Sequence, residues 1–346
     1  MGGDADSVLS AAPGKPATIY DVAKLAGVSH QTVSRHLRGL AGIRPETRER
    51  VVRALEQLDY RPNLTARNLA TSRSHRVGVL THEIGEVGPS RILQGAGAGA
   101  RDAGYLLDIV SLEGDDPAAA QEALSLIARQ DIAGLLVFTS TDAMTRALRE
   151  TPVRVPTIIE VEDDDAVADH PETWNYRGLR VAVDHLVSLG HRRFFHIAGP
   201  PGWVSARNRI LSYERALASH GLASLGSTSG DWSAASGYRA AQTVPFDAGV
   251  TAIVVANDQM ALGTLRALTE RGIRVPEDVS ITGFDDTPES AFYSPPLTTV
   301  HGDFDLQGRA VFARLLRLIE SGVPDESVRA PARLVLRGST ASPPRD

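Results

Sequence analysis

From residue 77 onward, short apolar runs alternate with stretches of helical periodicity, and this alternation constrains the fold more than anything else in the chain. "VGVL", "LLDIV", "GLLVF", "PTIIEV", "FFHIAG", "AIVVA" and "VSITGF" are continuous enough to be strands covered on both faces. "SRILQGAGAGARDAG", "PAAAQEALSLIARQ", "LRVAVDHLVSLG", "ARNRILSYERALASHG" and "MALGTLRALTERG" lie between them and read as helices. Such alternation sets parallel strands side by side under helices, a doubly wound α/β arrangement. About ten strands exceed what one such sheet usually holds, so two similar lobes with a cleft between them are expected. Ligands of these sheets sit beyond the carboxyl ends of the strands.

The first 76 residues follow another pattern. "TIYD" (Thr18 to Asp21) has the Thr-x-x-acid form of a capping box. Val22, Ala23, Leu25 and Ala26 then supply an apolar face, and Gly27 ends the helix where a positive φ is needed. Ser29 caps a second helix whose Val33 and Leu37 face inward. Pro45 suits the first turn of a third, whose Val51, Val52, Leu55 and Leu58 complete a small core. Two short helices joined by a tight glycine turn make a helix-turn-helix. Its second helix presents His30, Gln31, Thr32, Ser34 and Arg35 outward, side chains that reach base edges and phosphates in a major groove.

Charge supports that reading. The chain carries a net −6, but residues 15–76 hold twelve basic against five acidic side chains, +7, which leaves −13 for the rest. A cationic head on an anionic body is the footprint of a module that meets phosphate, joined to one that does not. Cysteine is absent, which excludes disulfides and thiolate metal sites. The opening "MGGDADSVLSAAPGKPA" has acidic residues and no apolar core where a signal peptide needs the reverse. Residues 1–17 therefore read as a disordered tail, no later run is apolar enough to span a bilayer, and a cytoplasmic protein is expected.

"TIYDVAKLAGVSHQTVSRHL", "RPETRERVVRALEQLDYRPN" and "ARNLA" resemble the headpiece and hinge of the lactose-repressor family of bacterial transcription regulators. The likeness runs from Thr18 to about Thr340. "GDWSAASG", "VANDQMALG" and "GFDDTPES…YSPPLTTV" are especially similar to the repressor that gives the family its name. The resemblance implies a helix-turn-helix headpiece (18–62), a hinge (63–76) and a two-lobed core of the periplasmic-binding-protein type (77–340) before a short tail (341–346). Lobe 1 is expected at about 77–173 and 305–333, and lobe 2 at about 174–304 and 334–340. DNA contact is implied for Thr18, Tyr20, Ser29, His30, Gln31, Thr32, Ser34 and Arg35, and in the hinge for Asn63, Ala66, Arg67 and Leu69. The hinge is too short to be a stable helix alone. In the family two hinges fold together on the minor groove, and Leu69 matches the leucine that wedges the central base step.

Polar residues just past strand ends are expected to face the cleft: Asn257 and Asp258 in "VVANDQ", Asp285 and Asp286 in "TGFDD", with Arg207 and Arg209 after "FFHIAGPPGWVSA". Trp232 is read as beginning the helix after "SGDW". A carboxylate, an amide and a guanidinium around an aromatic ring suit a sugar, whose hydroxyls they fix while the ring covers a C–H face. The resemblance places His82, Ile92, Arg209, Trp232, Asn257, Asp285 and Phe304 at effector-binding positions. Four positions depart from the family's namesake. Its strand-end aspartate falls on Val161, between Glu160 and Glu162; its cleft serine is His82; an apolar loop residue is Glu86; and the aromatic ahead of "QTVSR" is His30. The cleft departures imply a saccharide other than that repressor's inducer, or a different bound pose, and the last implies a different operator.

No G-x-S-x-G elbow, Walker loop or strand-following G-x-G-x-x-G is present, "GAGAGA" lies in a helical pattern, and the ten histidines show no metal spacing. His196 reads as an internal strand residue, and the carboxylate-rich "EDDDAVADH" as a solvated loop. The expectation is therefore a non-enzymatic regulator with neither cofactor nor metal. It represses sugar-utilisation genes as a homodimer on a pseudo-palindromic operator, since "LRGSTASPPRD" ends without a leucine heptad for tetramers. The alternatives are a corepressed regulator and a transport-type sugar-binding protein.

Overall fold

The computed structural model describes residues 17–37, 42–60, 74–112, 116–139, 141, 145–147, 150–166, 173–325 and 331–344. The chain divides into two compact units, 1–73 and 74–346. Asn63, Ala66, Arg67 and Leu69 lie outside the described residues.

In the first unit, helices α1 (Ile19–Ala26), α2 (His30–Leu37) and α3 (Pro45–Gln57) close on one small core. The capping box forms: the Thr18 N–H donates to Asp21 Oδ2 at 2.8 Å, and the Asp21 N–H to Thr18 Oγ1 at 3.3 Å. Gly27 takes φ 64° and donates to the last carbonyls of α1, and Ser29 Oγ accepts the Thr32 N–H at 3.2 Å. Val22, Ala23, Ala26, Val33, Val51 and Ala54 are buried. Two expected core residues are not: Leu25 is 50% and Val52 36% exposed. At 100° per residue each falls on the flank of a stripe only two or three residues wide, and the small Ala54 takes the inward place in α3.

The second unit contains two sheets. The first has strand order β2-β1-β3-β4, all parallel, from β1 (Arg76–His82), β2 (Leu106–Leu112), β3 (Gly134–Thr139) and β4 (Thr157–Val161). Helices α4 (Val87–Asp102) and α5 (Pro117–Ala128) connect its strands. The run "LLDIV" is not buried on both faces, because β2 is an edge strand with Leu106 and Ile109 exposed.

The second sheet contains β5 (Phe194–Ala198), β6 (Ser224–Ser229), β7 (Ala252–Val255), β8 (Ser280–Asp285), β9 (Thr298–His301) and β10 (Arg333–Val335), in the order β10-β9-β8-β7-β5-β6. Helices α6 (Trp174–Ser188), α7 (Val204–Ser219), α8 (Ala234–Ala241) and α9 (Asp258–Glu270) cover it. β10 pairs antiparallel with β9, so this sheet is mixed rather than wholly parallel.

The chain leaves the second lobe after β9 and runs as α10 (Phe304–Ser321) along the first, where Val311, Phe312 and Leu315 join the core under β1 and β3. Gly95 and Gly99 of "GAGAGA" serve this contact. A Cβ on Gly95 would lie 2.2 Å from the Asp305 carbonyl oxygen, and one on Gly308 would lie 2.0 Å from that of Ile92. The chain then returns to the second lobe at β10, and residues 338–341 are stitched to that lobe. Ser339 bonds the backbones of Ile281 and Thr298, and His191 Nε2 lies 2.9 Å from the Ala341 carbonyl oxygen. No helix among the described residues is long and apolar enough to cross a membrane.

Candidate functional site

The carboxyl ends of the parallel strands in both lobes converge on a cavity of about 440 Å³. Ile92, Arg209, Trp232, Asn257, Asp285 and Phe304 all line it, so six side chains far apart in sequence meet in one place. His82 is not in the lining. It is buried at the end of β1 and packs on Trp203, ring centroids 5.4 Å apart, and Trp203 does line the cavity.

Arg209 organises the second-lobe wall. It is nearly buried on α7, donates from Nε to Asn175 Oδ1 at 2.7 Å, from Nη1 to the Ala256 carbonyl, and from Nη2 to Asp285 Oδ1 at 3.3 Å. Its Cζ stands 3.8 Å from the centre of the Phe284 ring and 5.2 Å from that of Trp232, which stabilises the desolvated cation. Burial pushes the Asp285 carboxyl up, opposed by its pair with Arg209. Asn257 caps α9: its Oδ1 accepts the Met260 N–H at 2.8 Å while its Nδ2 donates to the Trp232 carbonyl at 2.9 Å. One amide thus starts a helix and holds the loop that carries the aromatic ring.

Trp232 does not begin α8, which starts at Ala234 with Ser233 as its cap. It sits just before the cap at φ 72°, its ring edge-on to Trp203 at 5.7 Å and pressed on Gly199, where a Cβ would lie 2.2 Å from it. Asp285 has φ 101°. Left-handed backbone at two non-glycine residues of one cavity is strain that the surrounding packing sustains.

Three expected cleft residues turn away. Asp258 is buried beneath the cavity, accepting from Thr299 Oγ1 at 2.6 Å and the Thr287 N–H at 2.8 Å, because the first turn of α9 points it at the neighbouring strand and turn. Asp286 pairs with Arg337 at 2.6 Å and His301 at 2.9 Å. Arg207 pairs with Asp164 at 3.3 Å.

The reading of "EDDDAVADH" as solvated is overturned at two positions. Glu162 Oε1 accepts from Asn175 Nδ2 at 2.6 Å and Asn208 Nδ2 at 2.9 Å, and lines the cavity. Asp165 is buried, accepts from the Thr173 hydroxyl, and its N–H donates to Asn208 Oδ1 at 2.9 Å. Glu160 is also in the lining and pairs with Arg314 at 3.0 Å. Burial pushes both Glu160 and Glu162 up. Glu86 lines the cavity ahead of α4, its carboxyl pushed up to about 7 by burial, with the negative charges of Glu83, Asp285 and Asp231 adding to the shift.

Asn175, Trp174, Asn208 and Trp203 are wall or network residues that the sequence pattern did not single out. Thr173 was the available signal for the first two: it caps α6, accepting the Tyr176 N–H at 3.1 Å, and so starts that helix five residues before its apolar pattern is evident.

In the first unit, His30, Gln31 and Arg35 are exposed on α2, with Thr32 and Ser34 half-buried beside them. Tyr20 on α1 is 65% exposed, its ring 5.2 Å from that of His30. Thr18 and Ser29 are exposed and occupied as helix caps.

A helix-turn-helix unit followed by a two-lobed α/β core with a polar, tryptophan-walled cleft defines a ligand-responsive DNA-binding regulator. Residues 18–63 match the family of bacterial regulatory proteins named for lacI, and residues 183–340 match the periplasmic binding protein-like domain. The lactose operon repressor of Escherichia coli (strain K12) is 36% identical over 336 residues, 95% of this chain and 92% of that protein. A crystal structure of the lac repressor dimer bound to operator and the anti-inducer ONPF superposes with a TM-score of 0.83 at 36% identity, covering 94% of this chain and all of that one. The transcriptional regulator CelR in complex with cellobiose gives 0.66 at 30% identity, covering 93% and 99%. The chain belongs to the lacI family of transcriptional regulators, a non-enzymatic family.

Proposed function

We propose that this chain is a cytoplasmic repressor of sugar-utilisation genes that leaves its operator when a small saccharide fills the cleft. The observation that carries the reading is the wall built by Arg209, Asn257 and Asp285 around Trp232. Trp232 adds an aromatic surface to the cavity lining, which suits sugar C–H groups. Asp285 keeps a second oxygen for a hydroxyl, and Arg209 keeps N–H groups beyond the three it has committed. The relative crystallised with cellobiose supports the ligand class, and the lac repressor dimer bound to operator supports the assembly.

In this reading two copies of Gln31 and Arg35 enter successive major grooves of a pseudo-palindrome. Asn63, Ala66, Arg67 and Leu69 form the hinge contacts, with Leu69 as the wedge in the minor groove. The saccharide acts because it binds the released conformation more tightly than the DNA-bound one. Mobility-shift titration of a selected operator against a panel of mono- and disaccharides tests this. A sugar that weakens the complex supports it; one that strengthens it makes the protein a corepressed regulator, and no response to any sugar removes the saccharide.

A further inference from the structure

The cavity wall holds six carboxylates, on Glu86, Glu160, Glu162, Asp163, Asp285 and Asp303, against three guanidiniums, on Arg177, Arg209 and Arg314. Each guanidinium already has a partner, and the charges of Arg209 and Arg314 are offset by carboxylates. Arg209 serves Asp285, Asn175 and the Ala256 carbonyl; Arg314 serves Glu160; and Arg177 has an interaction of its own. Among the carboxylates, Glu162 is held by two asparagines and Asp303 caps α10. Glu86 has no ion pair or hydrogen bond from its carboxyl among the described residues. The charged groups that act most strongly on it are all carboxylates: Glu83, Asp285 and Asp231.

Glu86 lines the same cavity as Arg209, Trp232 and Asp285, so a saccharide held by that wall shares its space with the Glu86 carboxyl. On the saccharide reading given above, we propose that the cleft selects an unphosphorylated saccharide bearing an amine, with Glu86 as the specificity-determining residue that takes the ammonium. A phosphate would enter a field of excess negative charge with each guanidinium engaged, whereas an ammonium supplies the counter-charge that Glu86 lacks. Burial, with those carboxylates adding to it, pushes the Glu86 carboxyl up to about 7.

Isothermal titration of the full-length protein tests this with gluco, galacto and manno scaffolds, as monosaccharides and β-linked disaccharides. Each scaffold is supplied as the neutral sugar, the 2-amino sugar and the 6-phosphate. For any scaffold that binds, the amino form is expected to bind at least tenfold tighter than the neutral form, with the phosphate form undetectable. In Glu86→Gln the ratio of amino to neutral affinity should fall to near one, and operator binding by that variant reports that it is folded. A neutral form that equals or beats its amino counterpart overturns the ammonium role while leaving the saccharide reading intact. A phosphate form that binds best overturns the selection altogether. Absence of binding by every probe sinks the saccharide reading, and this proposal with it.

Discussion

Glu162 and Asn208 stand on opposite lobes and share a hydrogen bond of 2.9 Å. Glu162 follows β4 in the first lobe and Asn208 lies on α7 in the second, with Asn175 of α6 as a second donor at 2.6 Å. Asn175 in turn accepts from Arg209, so one carboxylate ties the lobes together and orients the buried cation. Thr141 and Trp203 add a backbone bridge between the lobes. Charge-assisted hydrogen bonds are worth about 1.5–3 kcal/mol each. Glu162→Ala should lower the melting temperature by several degrees and weaken effector binding at least tenfold. Calorimetric titration checks this, and unchanged affinity would refute the latch.

Asp285 is the carboxylate closest to the guanidinium of Arg209, and it holds a left-handed backbone. Asp285→Ala should bind operator but lose its response to the effector. A mobility shift run with and without the sugar decides it, and a normal response removes Asp285 from the site.

Gln31 is exposed on α2, so its truncation should not disturb folding. Gln31→Ala is expected to weaken operator binding by about tenfold, in the range of one lost base contact. Leu69→Ala should weaken it further while effector binding stays nearly intact. Equal operator affinity in either variant eliminates that residue's role.

His196 is fully buried in β5, with Nδ1 2.8 Å from the Val254 carbonyl oxygen and its ring stacked on Tyr213 at 4.7 Å. Burial pushes it down to about 4. Its pKa is lower folded than unfolded, so its contribution is full above about pH 6.5 and is lost as pH falls towards 4. That contribution is on the order of 3 kcal/mol. Denaturant titrations at pH 7 and 4.5 should show His196→Phe losing less stability than the parent protein over this interval. An identical loss would exclude His196 as its source.

A Cβ at Gly308 would meet the Ile92 carbonyl, which is backbone and cannot swing aside. Gly308→Ala should destabilise the core unit by about 1–3 kcal/mol, as overpacking does. Thermal denaturation reads this directly, and an unshifted melting curve would show that α4 and α10 can separate without cost.

Local rules were legible wherever the residues concerned lie close in sequence. The Thr18–Asp21 box, the Gly27 turn and the Ser29 cap each need only three or four neighbours, and each forms as their chemistry requires. Strand-end polar residues were legible as a class, because parallel sheets always point those ends at the ligand. Which of them faced the cavity was not. Asn257 and Asp258 are adjacent, yet the first lines the site and the second is buried against Thr299, since successive positions at a helix start point about 100° apart.

By itself, the sequence determined the headpiece helices, the two-sheet α/β class and the positions from which a cleft could be built, because caps, periodicity and apolar runs act over a few residues. Tertiary structure alone decided that Glu162 joins Asn175 and Asn208 across the lobes, that Arg207 turns to Asp164 while Arg209 turns to Asp285, and that Glu86 is left among carboxylates. Those outcomes depend on long-range packing. A buried charge settles with whichever partners the closed fold brings within about 3 Å, and no spacing along the chain encodes that choice.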